Sequence, residues 1–270
     1  MKRIALNNMT SDAAQGREVL AYTLWAAGGM AVPRVSFARV YINDTYYGLY
    51  TVIEGMDEEF LARRYTSPGG DLWAANDDAE FTRAGIVNFV LNAGWGDVSA
   101  LQHAADVIQT PTDDFYGSAD TVLVMDEFLD YWAWTMATGS NDGYPDHLND
   151  FFVYGDPGAG GRFEFMPWGL DETWSDLWAF DWGQGDSVGH LCRADASCTV
   201  RLKARVTAVL AILDGADAAG LASRTFALTD QAVRADHRRP FTDVEVDLAR
   251  AHLLSMLPGW SARVRTSVGL

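Results

Sequence analysis

The spacing of apolar and polar residues changes period several times along the chain, and each change marks an element. Ile4 to Leu6 reads as a short strand. Ser11 and Asp12 form a helix-start signal. Gln15 to Ala27 then carries Val19, Leu20, Tyr22, Leu24 and Trp25 at the three-and-four spacing of an amphipathic helix, and Gly28-Gly29 ends it. Val35 to Ile42 and Tyr46 to Ile53 alternate around Asn43-Asp44-Thr45, which predicts an antiparallel hairpin. Asp57 to Tyr65 places acids first and arginines last, as the dipole of a short helix favours. Asp71-Leu72-Trp73 reads as another strand, and Ala75 to Gly96 has only a weak pattern. Val98 to Ile108 reads as a helix and Thr110 to Ser118 as a loop.

The strongest helical period runs from Ala119 to Thr138, through Val122, Met125, Phe128, Leu129, Trp132 and Met136. It leads directly into the stretch from Gly139 to Trp174. Here two polar loops flank two short apolar runs, Phe151-Phe152-Val153-Tyr154 and Phe163-Glu164-Phe165-Met166. A hairpin joining these runs brings both loops to one end of a sheet. Asp142, Asp146, His147, Asn149 and Asp150 then lie near Asp171 and Glu172. Converging carboxylates with an Asn suit a hard divalent cation and a proton acceptor.

After Trp174 comes an aromatic and Gly-rich stretch without period, then a loop holding Cys192 and Cys198, then helices near 200–213, 217–235 and 244–264. Strands come first and helices later, with one more hairpin between them. This order predicts an α+β fold, with a small antiparallel N-terminal sheet over about residues 1–80 and a mainly helical part over 81–270. No internal repeat, low-complexity segment or linker is legible.

Composition narrows the picture. A chain of 270 residues, 49% of them hydrophobic, can bury a sizeable core. No apolar run reaches membrane-spanning length. The N-terminus enters a strand with no apolar leader, as expected of a cytoplasmic protein or of a mature or excised segment of an exported one. A net charge of −17 disfavours nucleic acid and anionic membranes as partners, since both would repel it. Lysine occurs only as Lys2 and Lys203. Cys192 and Cys198 are too few for a zinc site. A local disulfide across an exposed polar loop is the simplest reading and implies an oxidising compartment; two unrelated thiols are the alternative.

Several blocks in order resemble one family. They are Leu6-Asn7-Asn8 with Asp12 and Arg17-Glu18-Val19-Leu20-Ala21-Tyr22; Val32-Pro33-Arg34 with Phe37 to Asn43 and Tyr46-Tyr47-Gly48-Leu49-Tyr50; Val52-Ile53-Glu54; Phe60-Leu61; and Gly70-Asp71-Leu72-Trp73. The last comprises Asp142-Gly143-Tyr144, Asn149, Phe151 to Tyr154 and Pro167-Trp168-Gly169-Leu170-Asp171. Together, over about residues 3 to 215, they resemble the CotH-type kinases, the spore coat protein H-like atypical protein kinases that are secreted or surface-associated.

The resemblance implies a divergent protein-kinase-like fold. It also implies transfer of the γ-phosphoryl group of ATP to Ser or Thr of a surface or coat protein, with Mg²⁺ or Mn²⁺, outside the cytoplasm. It makes Asp142 the catalytic Asp, Asn149, Asp150 and Asp171 metal ligands, and Glu54 the acid that orients a phosphate-clamping cation. That cation is Lys2, or an arginine such as Arg3 or Arg39, or it is missing from this chain. Two departures stand out. The family often has a second Asn where this chain has Asp150, and no Gly-rich phosphate loop precedes residue 30. They motivate an alternative, a catalytically weak relative serving as a surface binding or structural module. A weaker third reading, a glycosidase, needs a carboxylate pair at hydrolase separation beside aromatic residues.

Overall fold

A computed structural model describes residues 2–140, 142–174 and 187–270. Met1, Asn141 and residues 175–186, most of the aromatic and Gly-rich stretch, lie outside the described residues. The first sheet contains β1 (Ile4–Asn7), β2 (Val35–Ile42) and β3 (Thr45–Glu54) in the antiparallel order β1-β3-β2. Asn43 and Asp44 turn the β2–β3 hairpin with φ of 50° and 62°. A two-residue turn that matches strand twist needs both residues at positive φ, and Asn and Asp tolerate this best. The β1–β3 register sets Asn7 opposite Thr51 and Ile4 opposite Glu54.

The second sheet has the order β5-β4-β6-β7, from β4 (Leu72–Ala75), β5 (Phe89–Ala93), β6 (Phe151–Asp156) and β7 (Arg162–Pro167), and is also antiparallel. Both of its faces are covered. Trp73, Phe151, Val153 and Phe165 enter the main core, while Leu72, Phe152, Tyr154 and Met166 enter a second cluster with Met56 and Phe60. A strand buried on both sides reads as a continuous apolar run and not as an alternation. This sheet also crosses the expected division near residue 80: β4 precedes it, and β5, β6 and β7 follow it. The sheet draws strands from both sides of that division, because β4 needs a partner on each edge and both come from later in the chain.

Helix α1 (Arg17–Ala27) begins two residues later than expected. Asp12 does not cap it directly. Its carboxylate accepts the N–H groups of Ala14, Gly16 and Arg17, and Gln15 sits at φ 57°, so residues 12–16 form a tight turn. Helix α2 (Glu58–Arg64) is capped by Asp57, and α3 spans Val98–Gln109.

The expected helix over 119–138 divides. Helix α4 (Phe115–Ala119) occupies part of the expected loop, and α5 starts only at Met125 and runs to Thr138. Between them, Val122 and Val124 exchange backbone hydrogen bonds with Phe163, and the Asp120 carboxylate accepts the N–H of Met125. The Thr-Val-Leu-Val run at 121–124 is β-favouring, and β7 supplies it a neighbour. From Phe128 onward α5 is apolar nearly all round and lies in the main core, where a helix of that composition belongs.

Four helices complete the described chain: α6 (Ser187–Ala194), α7 (Ala196–Gly215), α8 (Ala218–Ala235) and α9 (Asp243–Ser267). Helix α7 packs on α5, and α8 packs on α1 and β3. Trp260 of α9 donates its indole N–H to the Ala137 carbonyl. Cys192 and Cys198 form a disulfide joining α6 to the start of α7. Both are buried in the main core and not in an exposed loop, because the helices carrying them turn their apolar faces inward. The architecture is α+β: two small antiparallel sheets with helices packed around them.

Candidate active site

The β6–β7 hairpin gathers the two carboxylate loops, as the sequence pattern predicts. Phe151 pairs with Pro167, and one residue beyond, the Trp168 N–H donates to the Asp150 carbonyl at 3.1 Å. Asp171 follows in a single 3₁₀ turn, Leu170–Glu172, that packs against α1. Asp142 enters from the loop after α5, whose end is fixed by Gly139 in a left-handed conformation. The end of β1 supplies Asn7. Its Nδ2 donates to Glu18 Oε2 at 3.0 Å and to Asp171 Oδ2 at 3.4 Å, while its Oδ1 accepts the N–H of Met9. One amide thus connects the first sheet, α1 and the loop after β7.

The site is crowded with negative charge. Burial, then the charge of Asp142 and a side-chain hydrogen bond to it, then the charges of Asp171 and Asp77, push Asp150 from an ordinary 3.8 up to about 7. Burial and the nearby Asp171 push Glu18 from 4.5 up to about 8. Glu172 is raised by burial and by Asp142 and Asp171, against the pull of His147 and Arg17. Two carboxyls that hydrogen-bond each other hold a proton between them unless a cation replaces it.

Glu18 Oε1 and the Tyr22 hydroxyl are among the buried polar atoms without a well-formed hydrogen bond; the Thr51 side chain and the Gly169 N–H are their nearest favourable neighbours. Tyr22 feels the charges of Glu18, Asp150 and Asp171, so it belongs to the same cluster. Burying a polar atom without a hydrogen bond costs on the order of 1–3 kcal/mol, which bound water or an ion can relieve. Among the described residues no three His, Cys, Asp or Glu side chains are set to chelate an ion alone. That donor set still fits Mg²⁺, which is typically held by one or two carboxylates, with water and substrate phosphates completing the shell.

The other expected site residues are spread more widely. Asn149 is half-buried beside Asp150, Asp146 is half-buried, and His147 is exposed. Glu54 is buried at the end of β3, where it holds the Arg34 and Arg63 guanidiniums, each at 2.7 Å. Burial opposes its ionisation, but the hydrogen bonds from both arginines bring it down to about 2. Lys2 is exposed. Arg3 pairs with Asp57 at 3.7 Å and Arg39 reaches Gln231 of α8, so neither is among the partners of Glu54.

Glu18, Asn7 and Tyr22 join the site although the sequence pattern does not place them there. One signal in the chain does point to two of them: Glu18 is one helical turn before Tyr22, on the buried face of α1. An acid on an apolar stripe is either paired or functional.

Gly169 positions Asp150. It sits at φ 60°, and a Cβ there would overlap the Asp150 carboxylate. Gly169→Ala is expected to cost stability through backbone strain and to displace Asp150. Thermal unfolding should show a lowered Tm, and stabilisation of the fold by added Mg²⁺ should shrink. An unchanged response to Mg²⁺ would show that Gly169 does not hold Asp150 in place.

Residues 1–203 match the family described as "CotH kinase protein". The chain is also similar to "Inner spore coat protein H" of Bacillus subtilis (strain 168), at 28% identity over 185 residues. The match covers 64% of this chain and 50% of that protein, so the chain spans about half the length of the curated relative it matches. The family match runs from β1 into α7 and takes in every side chain of the acidic cluster; the chain belongs to the CotH kinase protein family.

Proposed function

We propose that this chain transfers the γ-phosphoryl group of ATP to a Ser or Thr hydroxyl of another protein, on a divergent kinase-like fold. The observation that carries this reading is the convergence of Asp142, Asp150 and Asp171 from two loops at one end of the β6–β7 hairpin. Membership of a family described as kinases supports it. Phosphoryl transfer asks a protein mainly for positioning and charge neutralisation, which oriented carboxylates and a cation provide.

Asp142, on the loop after α5, is the residue to orient the acceptor hydroxyl and take its proton. Asp171 and Asp150, with Asn149 beside them, would hold Mg²⁺ or Mn²⁺; the cation, when bound, neutralises the phosphate oxygens. Asn7 keeps Glu18 and Asp171 in fixed orientation through its two hydrogen bonds. Glu18 and Tyr22 close the buried side of the site and exclude water. The acceptor is an unidentified protein of a cell surface or coat. The name of the Bacillus relative and the Cys192–Cys198 disulfide both support a location outside the reducing cytoplasm. The charge of −17 argues against nucleic acid and anionic membranes as partners.

One observation favours a second reading. Asp150 bonded to Asp142 is a self-satisfied pair, and a weak relative that only binds a partner could retain it. Incubation with γ-labelled ATP and Mg²⁺ or Mn²⁺ separates the two readings. The expected result is metal-dependent labelling of the chain itself or of a Ser/Thr-containing acceptor. Absence of transfer together with absence of ATP binding would replace the first reading with the second.

A further inference from the structure

Tyr144 lies two residues after Asp142, in the loop that follows α5, and is completely buried. Its ring packs between Phe128 of α5, Phe151 of β6 and Phe165 of β7, with ring centroids 5.9, 5.1 and 5.0 Å away. These are the three elements that bring the loops of the candidate site together. The Tyr144 hydroxyl donates to Glu80 Oε1 at 3.2 Å and accepts the backbone N–H of Val188 at 3.2 Å. A phenol has one O–H to give and lone pairs to accept with, so both bonds form at once. Glu80 is also buried, in the connection between β4 and β5, and its Oε1 accepts the Phe81 N–H as well. The same connection holds the loop at a second point, where the Ala79 N–H donates to the Leu148 carbonyl at 3.3 Å.

Val188 is the second residue of α6. The first N–H groups of a helix have no partner within the helix and need acceptors from elsewhere. Tyr144 supplies one from 44 residues away in the chain. Cys192 lies one helical turn after Val188, and both are wholly buried. The disulfide joins Cys192 to Cys198 in the first turn of α7. Between them, Asp195 Oδ1 accepts the N–H groups of Ser197 and Cys198 at 2.7 and 2.9 Å, and its Oδ2 accepts that of Phe115 in α4 at 2.9 Å. Helix α7 in turn packs on α5, where Arg205 pairs with Asp126 and Asp130. The C-terminal end of α6 is therefore covalently tied to the helices that carry the core, and its N-terminal end holds the Tyr144 hydroxyl.

We propose that Tyr144 is a positioning residue for the candidate site, and that the Cys192–Cys198 disulfide acts on the site through it. With its hydroxyl set between Glu80 and the first turn of α6, Tyr144 fixes the path of the loop from Asp142 to Asp150. A carboxylate displaced by a fraction of an ångström from its working geometry loses much of its contribution to rate, so the effect of the hydroxyl falls on turnover. The meaning of turnover rests on the proposed phosphoryl transfer; the linkage from Cys192 through Val188 to Tyr144 does not.

Tyr144→Phe removes only the hydroxyl and keeps the ring among its three neighbours. Cys192→Ala/Cys198→Ala removes the covalent tie. Both variants, their combination and the wild type are compared by transfer from γ-labelled ATP across nucleotide concentrations, by amide exchange of residues 142–150, and by melting. The expected result for Tyr144→Phe is about a tenfold loss of kcat with KM for ATP nearly unchanged, and faster exchange in 142–150. The alanine pair should change both in the same direction. The combined variant should be no worse than Tyr144→Phe alone, because both changes act on one linkage. Where the alanine pair fails to fold, Val188→Pro replaces it, since Pro is tolerated in the first turn of a helix and removes the N–H that Tyr144 accepts. Wild-type kcat and exchange in Tyr144→Phe overturn the positioning role. So does a loss that appears in KM and Tm but not in kcat, the mark of a tyrosine that only fills the core. Effects that multiply in the combined variant overturn the link to the disulfide. If the wild type transfers no label, the kinase reading falls and amide exchange alone decides the linkage. Faster exchange that does not multiply upholds it, and unchanged exchange overturns it.

Discussion

Asp171→Asn is expected to lower phosphoryl transfer by about 10²- to 10³-fold, the typical loss when one preorganised electrostatic group is removed from an active site. The isosteric amide keeps an oxygen that can accept from Asn7 Nδ2, which lies 3.4 Å from the Asp171 carboxylate. What it removes is a full negative charge beside Asp150 and Glu18. The protein should therefore fold at least as well as the wild type, and the loss should fall on turnover and on metal dependence. Asp142→Asn is expected to give a loss of similar size with a different signature. Metal-dependent nucleotide binding should survive, because Asp142 is assigned to the acceptor hydroxyl and not to the cation. Transfer rates against Mn²⁺ concentration for both variants make the comparison. If both retain wild-type transfer, the acidic cluster is not the catalytic site.

The second large effect is on stability, with a defined pH window. Asp150 rises from 3.8 to about 7 and Glu18 from 4.5 to about 8 in the folded chain. Between those ordinary values and the folded ones, the native state holds protons that the unfolded chain has released. Raising the pH through this range therefore costs native stability, and lowering it restores stability. A tenfold difference in proton affinity between the folded and unfolded chain corresponds to ~1.4 kcal/mol. Coupling among the acids and local relaxation reduce the sum, so a net loss on the order of 1–3 kcal/mol from pH 5 to pH 8 is the expected size.

Mg²⁺ or Mn²⁺ should offset this loss at pH 8, because a cation that binds only the folded state stabilises it. At pH 5 the effect should be small, because the proton competes with the metal. Glu54 acts in the opposite sense. Its carboxyl is lowered to about 2, so its stabilisation is complete above about pH 4.5 and is lost only as the pH falls toward 2. Denaturant melts at pH 5 and pH 8, with and without Mg²⁺, for the wild type and Asp150→Asn/Glu18→Gln, isolate the site. The double variant should show a flatter pH profile and little metal response. A wild-type profile without slope between pH 5 and 8, or a double variant as metal-sensitive as the wild type, would contradict this account.

How far each feature is legible in the chain depends on the range of the interactions behind it. The β2–β3 hairpin is legible because a local turn at Asn43-Asp44 and a period of two both lie within one window. The late helices are legible because each carries its own caps and apolar stripe. The start of α5 differs from its periodicity because residues 121–124 are held by β7, nearly 40 residues away, which no window contains. The second sheet departs from the expected division for the same reason: β4 is four residues long, and its two partners lie on opposite sides of α3, α4 and α5 in the chain.

The candidate site divides in the same way. Asp142, Asp150 and Asp171 can be named from the chain alone because one hairpin joins their loops, and a hairpin is a local structure whose ends must meet. Blocks of residues in order also point to the family. Glu18, Asn7 and Tyr22 enter the site only through packing. α1 lies against the turn that holds Asp171, and the end of β1 lies beside both. The cations beside Glu54 have the same origin. Lys2, Arg3 and Arg39 are the cations that the sequence suggests, but strand register and the approach of α2 deliver Arg34 and Arg63 instead. Periodicity and turn chemistry are set by neighbours within a few residues, so the sequence alone determined the elements and the carboxylates of the hairpin. Which distant side chains meet those carboxylates, and how far their charges are shifted by burial, was decided only when the sheets and helices packed.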